Sequence, residues 1–110
     1  MYSKELIRGT LRTIILKLLS ENGQMYGYEI TQRVKEISSN EINLTFGALY
    51  PTLHKLEKEG IVITKSQEVD NRIRKYYSLT EAGAETARVK IEEYFQFAKM
   101  MNLIMITDGD

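Results

Sequence analysis

The chain has one histidine and no cysteine, which leaves it few ways to do chemistry. Thiolate metal sites and disulfides are impossible without cysteine. A lone histidine removes most metal constellations and the usual nucleophile–base pairs. His54 has no nucleophile or carboxylate arranged with it in sequence, so no catalytic set is expected and no metal or cofactor is called for. What remains are hydrogen-bond donors and cations on outward faces. His54 lies in Gly47-Ala-Leu-Tyr-Pro-Thr-Leu-His-Lys-Leu-Glu-Lys-Glu-Gly60. Leu49, Leu53 and Leu56 recur at i, i+4 and i+7 and share one side of a helix. Gly47, Pro51, His54 and Lys58 fall opposite them, with Tyr50 and Lys55 on the flanks. An outer face that is small at its start and carries donors further along can enter a DNA groove. The second cationic set is Arg72, Arg74 and Lys75. Strand alternation puts Arg72, Arg74 and Tyr76 on one face and Ile73, Lys75 and Tyr77 on the other. All three charges share a side only if the strand twists or bulges. The plain reading is a solvated hairpin; the functional one has at least two of them on phosphates, adding affinity but little sequence preference.

These residues need elements to hold them. The 110 residues fit one compact unit, and a chain this size buries roughly 65% of its unfolded surface. Residues 4–21 read as a helix with a broad apolar arc of Leu6, Ile7, Leu11, Ile14, Ile15, Leu18 and Leu19. The arc is wide enough for a core and a partner chain together. Asn22-Gly23 ends it. A second helix is expected over 26–38 with Ile30, Val34 and Ile37 as its stripe, Gly27 on the core side and Tyr28 outward. Ile42-Asn43-Leu44 alternates as one short strand. Thr45 is the N-cap of the third helix. Pro51 removes a hydrogen bond and its ring presses on the carbonyl of Gly47, so a distorted first turn or a start near Gly47 is expected. Gly60 stops it.

Residues 61–64 and 74–79 are strand candidates, joined through turn chemistry at Asp70-Asn71 into a hairpin with a polar, basic tip. Thr80 caps a last helix of about 25 residues, with Glu81 in the first turn. Ala84, Ala87, Ile91, Tyr94, Ala98, Met101 and Met105 recur at alternating spacings of 3 and 4 along it. Phe95, Phe97 and Leu103 add apolar surface. A domain this small cannot cover that seam, so a second copy is expected to. The fold class is α+β, mainly helical with a small hairpin: residues 1–80 as a winged helix-turn-helix unit and 81–110 as a dimerisation helix, one compact domain overall.

Formal net charge is zero, which weighs against nucleic acid. Its distribution is uneven: residues 1–80 hold 12 Lys+Arg against 9 Asp+Glu, and residues 81–110 hold 3 against 6. The start lacks the apolar region of a signal peptide, and no apolar run approaches a membrane span. A reduced, cytoplasmic protein without membrane partners is expected.

Three runs in this order resemble the PadR family of bacterial transcriptional regulators. They are Tyr26-Gly27-Tyr28-Glu29-Ile30; Gly47-Ala48-Leu49-Tyr50-Pro51 with Leu53 and Leu56-Glu57; and Arg74-Lys75-Tyr76-Tyr77 with Leu79-Thr80 and Gly83. The resemblance covers about residues 5–95, and the single last helix is similar to the short subfamily. It implies a homodimer joined through the first and last helices, with Ile7, Leu11, Ala84, Ala87, Ile91, Tyr94, Phe95, Ala98, Met101 and Met105 at the contact. It implies residues 45–58 in a major groove, the hairpin near the flanking backbone, and an inverted-repeat operator of the ATGT/ACAT type. On double-stranded DNA the implied contacts are Tyr28, Thr45, Gly47, Tyr50, Pro51, His54, Asn71, Arg72, Arg74, Lys75 and Tyr76, while Tyr26 and Gly27 pack. Most members repress, and many release DNA when a small phenolic or other aromatic compound binds. Drug-binding relatives carry a tryptophan in the last helix. Tyr94 takes that place here, so a planar-drug pocket is in doubt; Tyr94, Phe97 and Met101 would line a different effector site. Two other classes stay open: a winged-helix protein-interaction module, which neutral charge favours, and a ligand-binding dimer whose DNA role is secondary.

Overall fold

The computed structural model describes residues 2–107. Elements run α1 (Lys4–Asn22), β1 (Gln24–Tyr26), α2 (Gly27–Ile37), α3 (Phe46–Lys58), β2 (Val62–Val69), β3 (Arg72–Leu79) and α4 (Glu81–Met105). The order is that of a winged helix-turn-helix with an added helix. Residues 108–110 of the expected C-terminal unit lie outside the described residues.

Each helix starts where a side chain satisfies its first free amides. Ser3 accepts from Leu6 N–H at 3.2 Å, Thr45 from Ala48 N–H at 3.2 Å and Thr80 from Gly83 N–H at 2.9 Å, all from the N-cap position. At α2 the Glu29 carboxylate reaches back to Tyr26 N–H at 3.3 Å, one half of a capping box. Helix α3 begins at Phe46 and runs continuously through Pro51, the missing bond falling near the helix start. It ends in a Schellman turn: Gly60 at φ 76° donates to Glu57 O and Ile61 N–H to Leu56 O at 2.9 Å.

The sheet order is β1-β3-β2, antiparallel throughout. It corrects two expectations. The short strand is not Ile42-Asn43-Leu44, which is irregular, but Gln24–Tyr26, paired to Tyr76–Ser78. Leu44 is simply a buried anchor between α2 and α3. The hairpin strands also extend well past the expected 61–64 and 74–79, because Val69 pairs with Arg72 across a two-residue loop. Asp70 and Asn71 have φ of 50° and 64°, the left-handed pair of a type I′ turn whose twist matches the strands. That turn zips together Lys65–Glu68, too polar to read as strand.

The core is built by α1, α2, α3 and the sheet: Ile15, Leu16, Leu19, Ile30, Leu49, Leu53, Leu56, Val62 and Tyr77 are fully buried. The Tyr77 hydroxyl is pushed above the ordinary tyrosine pKa by burial. Leu11 and Ala87, expected at a partner contact, are enclosed in this core at 3% and 1% exposure. They join α1 to α4 within one chain and are out of a partner's reach. Beyond Ile91, α4 leaves the core; Tyr94, Phe95, Phe97, Leu103 and Met105 are exposed and the molecule stretches to 62 Å along its long axis. Among the described residues no helix is long and apolar enough to cross a membrane.

Helix α4 docks by close approach. A Cβ on Gly83 would meet the Ile61 carbonyl oxygen far inside 3.0 Å, and a backbone atom cannot swing away. Gly83→Ala is therefore expected to destabilise by about 1–3 kcal/mol. Gly9→Ala in α1, where a Cβ meets nothing within 4 Å, is expected to leave the melting temperature unchanged or raise it. Thermal melts followed by circular dichroism decide; equal melting for Gly83→Ala and wild type would contradict this docking.

Candidate nucleic-acid interface

Burial of the leucine stripe fixes which side of α3 faces out. Leu49, Leu53 and Leu56 are each fully buried, against α1, α2 and β2. Thr45, Gly47, Pro51 and His54 are exposed. They form one continuous outer face, small at the N-terminal end and carrying the imidazole further along. Tyr50 differs. It is half-buried and packs on the core, and its hydroxyl occupies the space over Gly27 where a Cβ would clash. Gly27 is thus glycine so that Tyr50 can lie across the start of α2. The Tyr50 ring in turn touches its helix neighbours, with centroid distances of 5.6 Å to Phe46 and 6.4 Å to His54. Phe46 does not stand out in the sequence. Three residues before Leu49 and seven before Leu53, it continues the leucine stripe by one more turn, yet at the first residue of α3 it is exposed.

The hairpin obeys the alternation. Arg74 stacks over the Tyr26 ring at 4.4 Å, and Tyr26 meets Tyr76 edge-on at 5.5 Å. The Tyr76 hydroxyl nearby raises the Arg74 pKa above its ordinary value, and the cation–π contact with Tyr26 holds the guanidinium in place. On the other face Lys75 lies 3.8 Å from Glu57 of α3 and 5.7 Å from the Tyr77 ring. The three cations therefore do not act alike. Arg72 stands exposed next to the turn, Arg74 is half-buried against Tyr26, and Lys75 is turned toward a carboxylate. Asn71 is exposed at the tip and Tyr76 half-buried. Lys65, cross-strand from Tyr76 and exposed, adds a cation to the Arg72–Arg74 face. It escapes a sequence reading because it lies past the expected end of its strand. Tyr28 is 54% exposed, one residue beyond the buried Gly27.

The three sequence runs thus meet in space: Tyr26 carries Arg74 and Tyr76, and Gly27 receives Tyr50. The family model described as the transcriptional regulator PadR-like family matches residues 15–89. The chain belongs to this family. A transcriptional regulator of Mycobacterium tuberculosis is 36% identical over 80 residues, 73% of this chain and 71% of that one. An uncharacterised protein of Lysinibacillus sphaericus is 31% identical over 106 residues, 96% of each. Among solved structures, a transcriptional regulator from Clostridium thermocellum superposes with a TM-score of 0.81 at 31% identity, over 90% of this chain and 96% of its own. A PadR family regulator from Eggerthella lenta gives 0.76 at 28%, over 96% and 86%. This PadR-like chain is accordingly a winged-helix DNA-binding regulator, and its family and the solved structures named above are transcriptional regulators.

Of the expected effector residues, Tyr94 borders a cleft within the subunit. A cleft of about 620 Å³ lies between α1, α2 and α4, walled by Ile14, Leu18, Val34, Ile37, Tyr94 and Phe95. Tyr94 lines it; Phe97 and Met101, further along α4, do not.

Tyr50 and His54 separate cleanly by experiment. Tyr50→Ala empties the slot over Gly27 and is expected to cost about 2 kcal/mol of stability. His54→Ala, on an open face, is expected to shift melting by about 1 °C at most. Identical melting of the two variants would show that Tyr50 does not hold α2 against α3.

Proposed function

We propose that this PadR-like protein is a cytoplasmic, dimeric, sequence-specific repressor. Each subunit lays α3 in a major groove of an inverted-repeat operator and rests its hairpin on the flanking backbone. A small aromatic or phenolic effector releases it. The observation that carries this reading is the outer face of α3: fully sunk leucines on one side and an uncovered, small-to-polar surface on the other. A helix in this position of the fold reads base edges with its outward N-terminal residues. Arg72, Lys65 and the Tyr26-braced Arg74 supply phosphate contacts, and Asn71 reaches toward a groove from the tip. Thr45, Gly47, Pro51 and His54 line the groove side, with Tyr28 beside the backbone. Lys75 contributes only by leaving Glu57.

The uncovered half of α4 supports dimerisation. Tyr94, Phe95, Phe97, Met100, Leu103, Ile104 and Met105 are 43–75% exposed, more contiguous apolar surface than a monomer this small ordinarily leaves in water. Ile7, Ala84, Ile91, Ala98 and Met101 extend the same side. Two-fold pairing there gives the symmetry an inverted repeat requires. The cleft beside Tyr94 is the effector candidate, completed by the partner's α4.

A gel-shift on DNA from around its own promoter, at two salt concentrations, tests the DNA reading. Binding is expected to weaken steeply with salt. Arg72→Ala is expected to flatten the log–log dependence by about one unit of slope for each phosphate the side chain neutralises. No shift at low salt would sink it. Light scattering at tens of micromolar is expected to give twice the 12.7 kDa chain mass, and Phe95→Glu to give a monomer. A thermal-shift screen of phenolic compounds, with Tyr94→Ala as control, tests effector release.

A further inference from the structure

Exposed large apolar side chains fall into groups here. Most lie on α4 or at the chain's N-terminus; Tyr28 and Ile37 lie on α2, and Ile63 and Ile73 on the hairpin. Phe46 belongs to none of these. It is 49% exposed on the first residue of α3, a helix that packs on α1, α2 and β2. Its ring has one aromatic neighbour, Tyr50, at 5.6 Å and a 42° tilt. Tyr50 cannot yield, because its far end is seated on Gly27. Phe46, in register with Leu49 and Leu53 but beyond the end of the core they fill, is therefore held by a fixed base at the exposed start of α3. The residues on either side, Thr45, Gly47 and Ala48, add little bulk, and all are exposed. A DNA floor can approach the ring directly.

We propose that Phe46 is a specificity-determining residue that packs on the C5-methyl group of a thymine in each operator half-site. The proposal rests on the major-groove reading of α3 and deepens it. The chemistry is selective. Major-groove base edges present hydrogen-bond donors and acceptors, and thymine alone adds a methyl group. A phenyl ring set over an amino or carbonyl edge displaces water without replacing its hydrogen bonds, which is unfavourable. Over a methyl it removes apolar surface from water on both partners. His54, at the other end of the Phe46–Tyr50–His54 ridge, offers a polar group, so one ridge presents an apolar contact first and a hydrogen-bonding one two turns later. Two-fold pairing places the two Phe46 rings at symmetry-related thymines.

The test is fluorescence anisotropy on the protein's own promoter fragment, prepared in parallel with thymidine and with deoxyuridine throughout. The second DNA lacks only the C5-methyl groups. Wild-type protein is expected to bind thymidine DNA more tightly, by roughly four-fold per methyl and on the order of fifteen-fold for two half-sites. Phe46→Ala is expected to close most of that gap while binding deoxyuridine DNA like wild type. Phe46→Leu, which keeps an apolar contact, is expected to retain part of it. Equal preference for thymidine DNA in wild type and Phe46→Ala would overturn the proposal while leaving DNA binding intact. So would a Phe46→Ala protein weakened equally on both DNAs, since Phe46 would then be packing on sugar or supporting the helix. Failure of wild-type protein to bind either DNA overturns the major-groove reading itself, a different result from either.

Discussion

The carbonyl group of Ile61 is where the helix that faces outward and the helix that faces a partner are tied together. It accepts from Thr80 N–H at 3.1 Å and from the Thr80 hydroxyl at 3.3 Å, while that hydroxyl also donates to Gly60 O at 2.7 Å. Gly83 presses against the same carbonyl. The residue carrying it is fixed from the other direction, since Ile61 N–H closes the Schellman turn of α3 on Leu56 O. A single residue thus ends α3, leads into β2 and seats α4. Arg12 of α1 pairs with Glu59 at the same corner and holds that carboxyl below the usual carboxylate range. Being exposed, this pair adds little stability; the backbone junction carries the connection. A shift at the start of α4 is therefore felt at the end of α3, as one further along is felt by α1 through Leu11 and Ala87. Two such helices joined through α4 would hold their α3 helices at a set separation, which reading an inverted repeat requires.

The hairpin is braced by a different device. A two-stranded ribbon on its own is barely stable in water. Here β3 is the central strand because β1 adds to its outer edge, and β1 also carries the cap of α2. Tyr26 is the hinge of this arrangement, holding Tyr76 edge-on and Arg74 face-on. The brace ends where β1 ends: beyond Tyr76 and Lys65 the hairpin has no third strand. Arg72 and Asn71 stand on a lever whose base is fixed and whose tip is free to follow a backbone. Arg74 sits at the boundary, charged and oriented, and the most constrained of the three hairpin cations.

The same distinction explains what could be read from the sequence. Periodicities of apolar residues revealed α1, α2, α3 and α4 nearly to their ends, since helix burial leaves a repeating trace. Cap residues Thr45 and Thr80 and the stop at Gly60 were legible because each carries out a local task. The strand at Gln24–Tyr26 was not, because three residues give no period and its partner lies about fifty positions later. Alternation in Ile42-Asn43-Leu44 was only anchoring of a connection. Leu11 and Ala87 repeat in phase with truly exposed residues, so a heptad-like spacing could not separate the inner edge of α4 from its outer one. The outer surface of α3 was legible by default, as whatever the leucines left over. The seat of Tyr50 left no local trace, because the glycine that receives it lies on another helix.

Neutral net charge, which first weighs against a nucleic-acid partner, loses its force once charges are placed. Fields from exposed charges fade over a Debye length, about 10 Å at 0.1 M salt, and this molecule is 62 Å long. What a phosphate meets is local. Several carboxylates nearest α3 and the hairpin are already engaged: Glu57 with Lys75 and the Thr64 hydroxyl, Glu59 with Arg12, Glu29 with the amide of Tyr26. On α4, Glu85 pairs with Arg88 and Glu93 with Lys90, within their own helix. On the hairpin Arg72, Lys65 and the ring-stacked Arg74 outnumber Glu68 and Asp70, the two carboxylates outside these pairs. The balance that matters is therefore positive where the outer faces of α3 and the hairpin converge, whatever the sum over the chain.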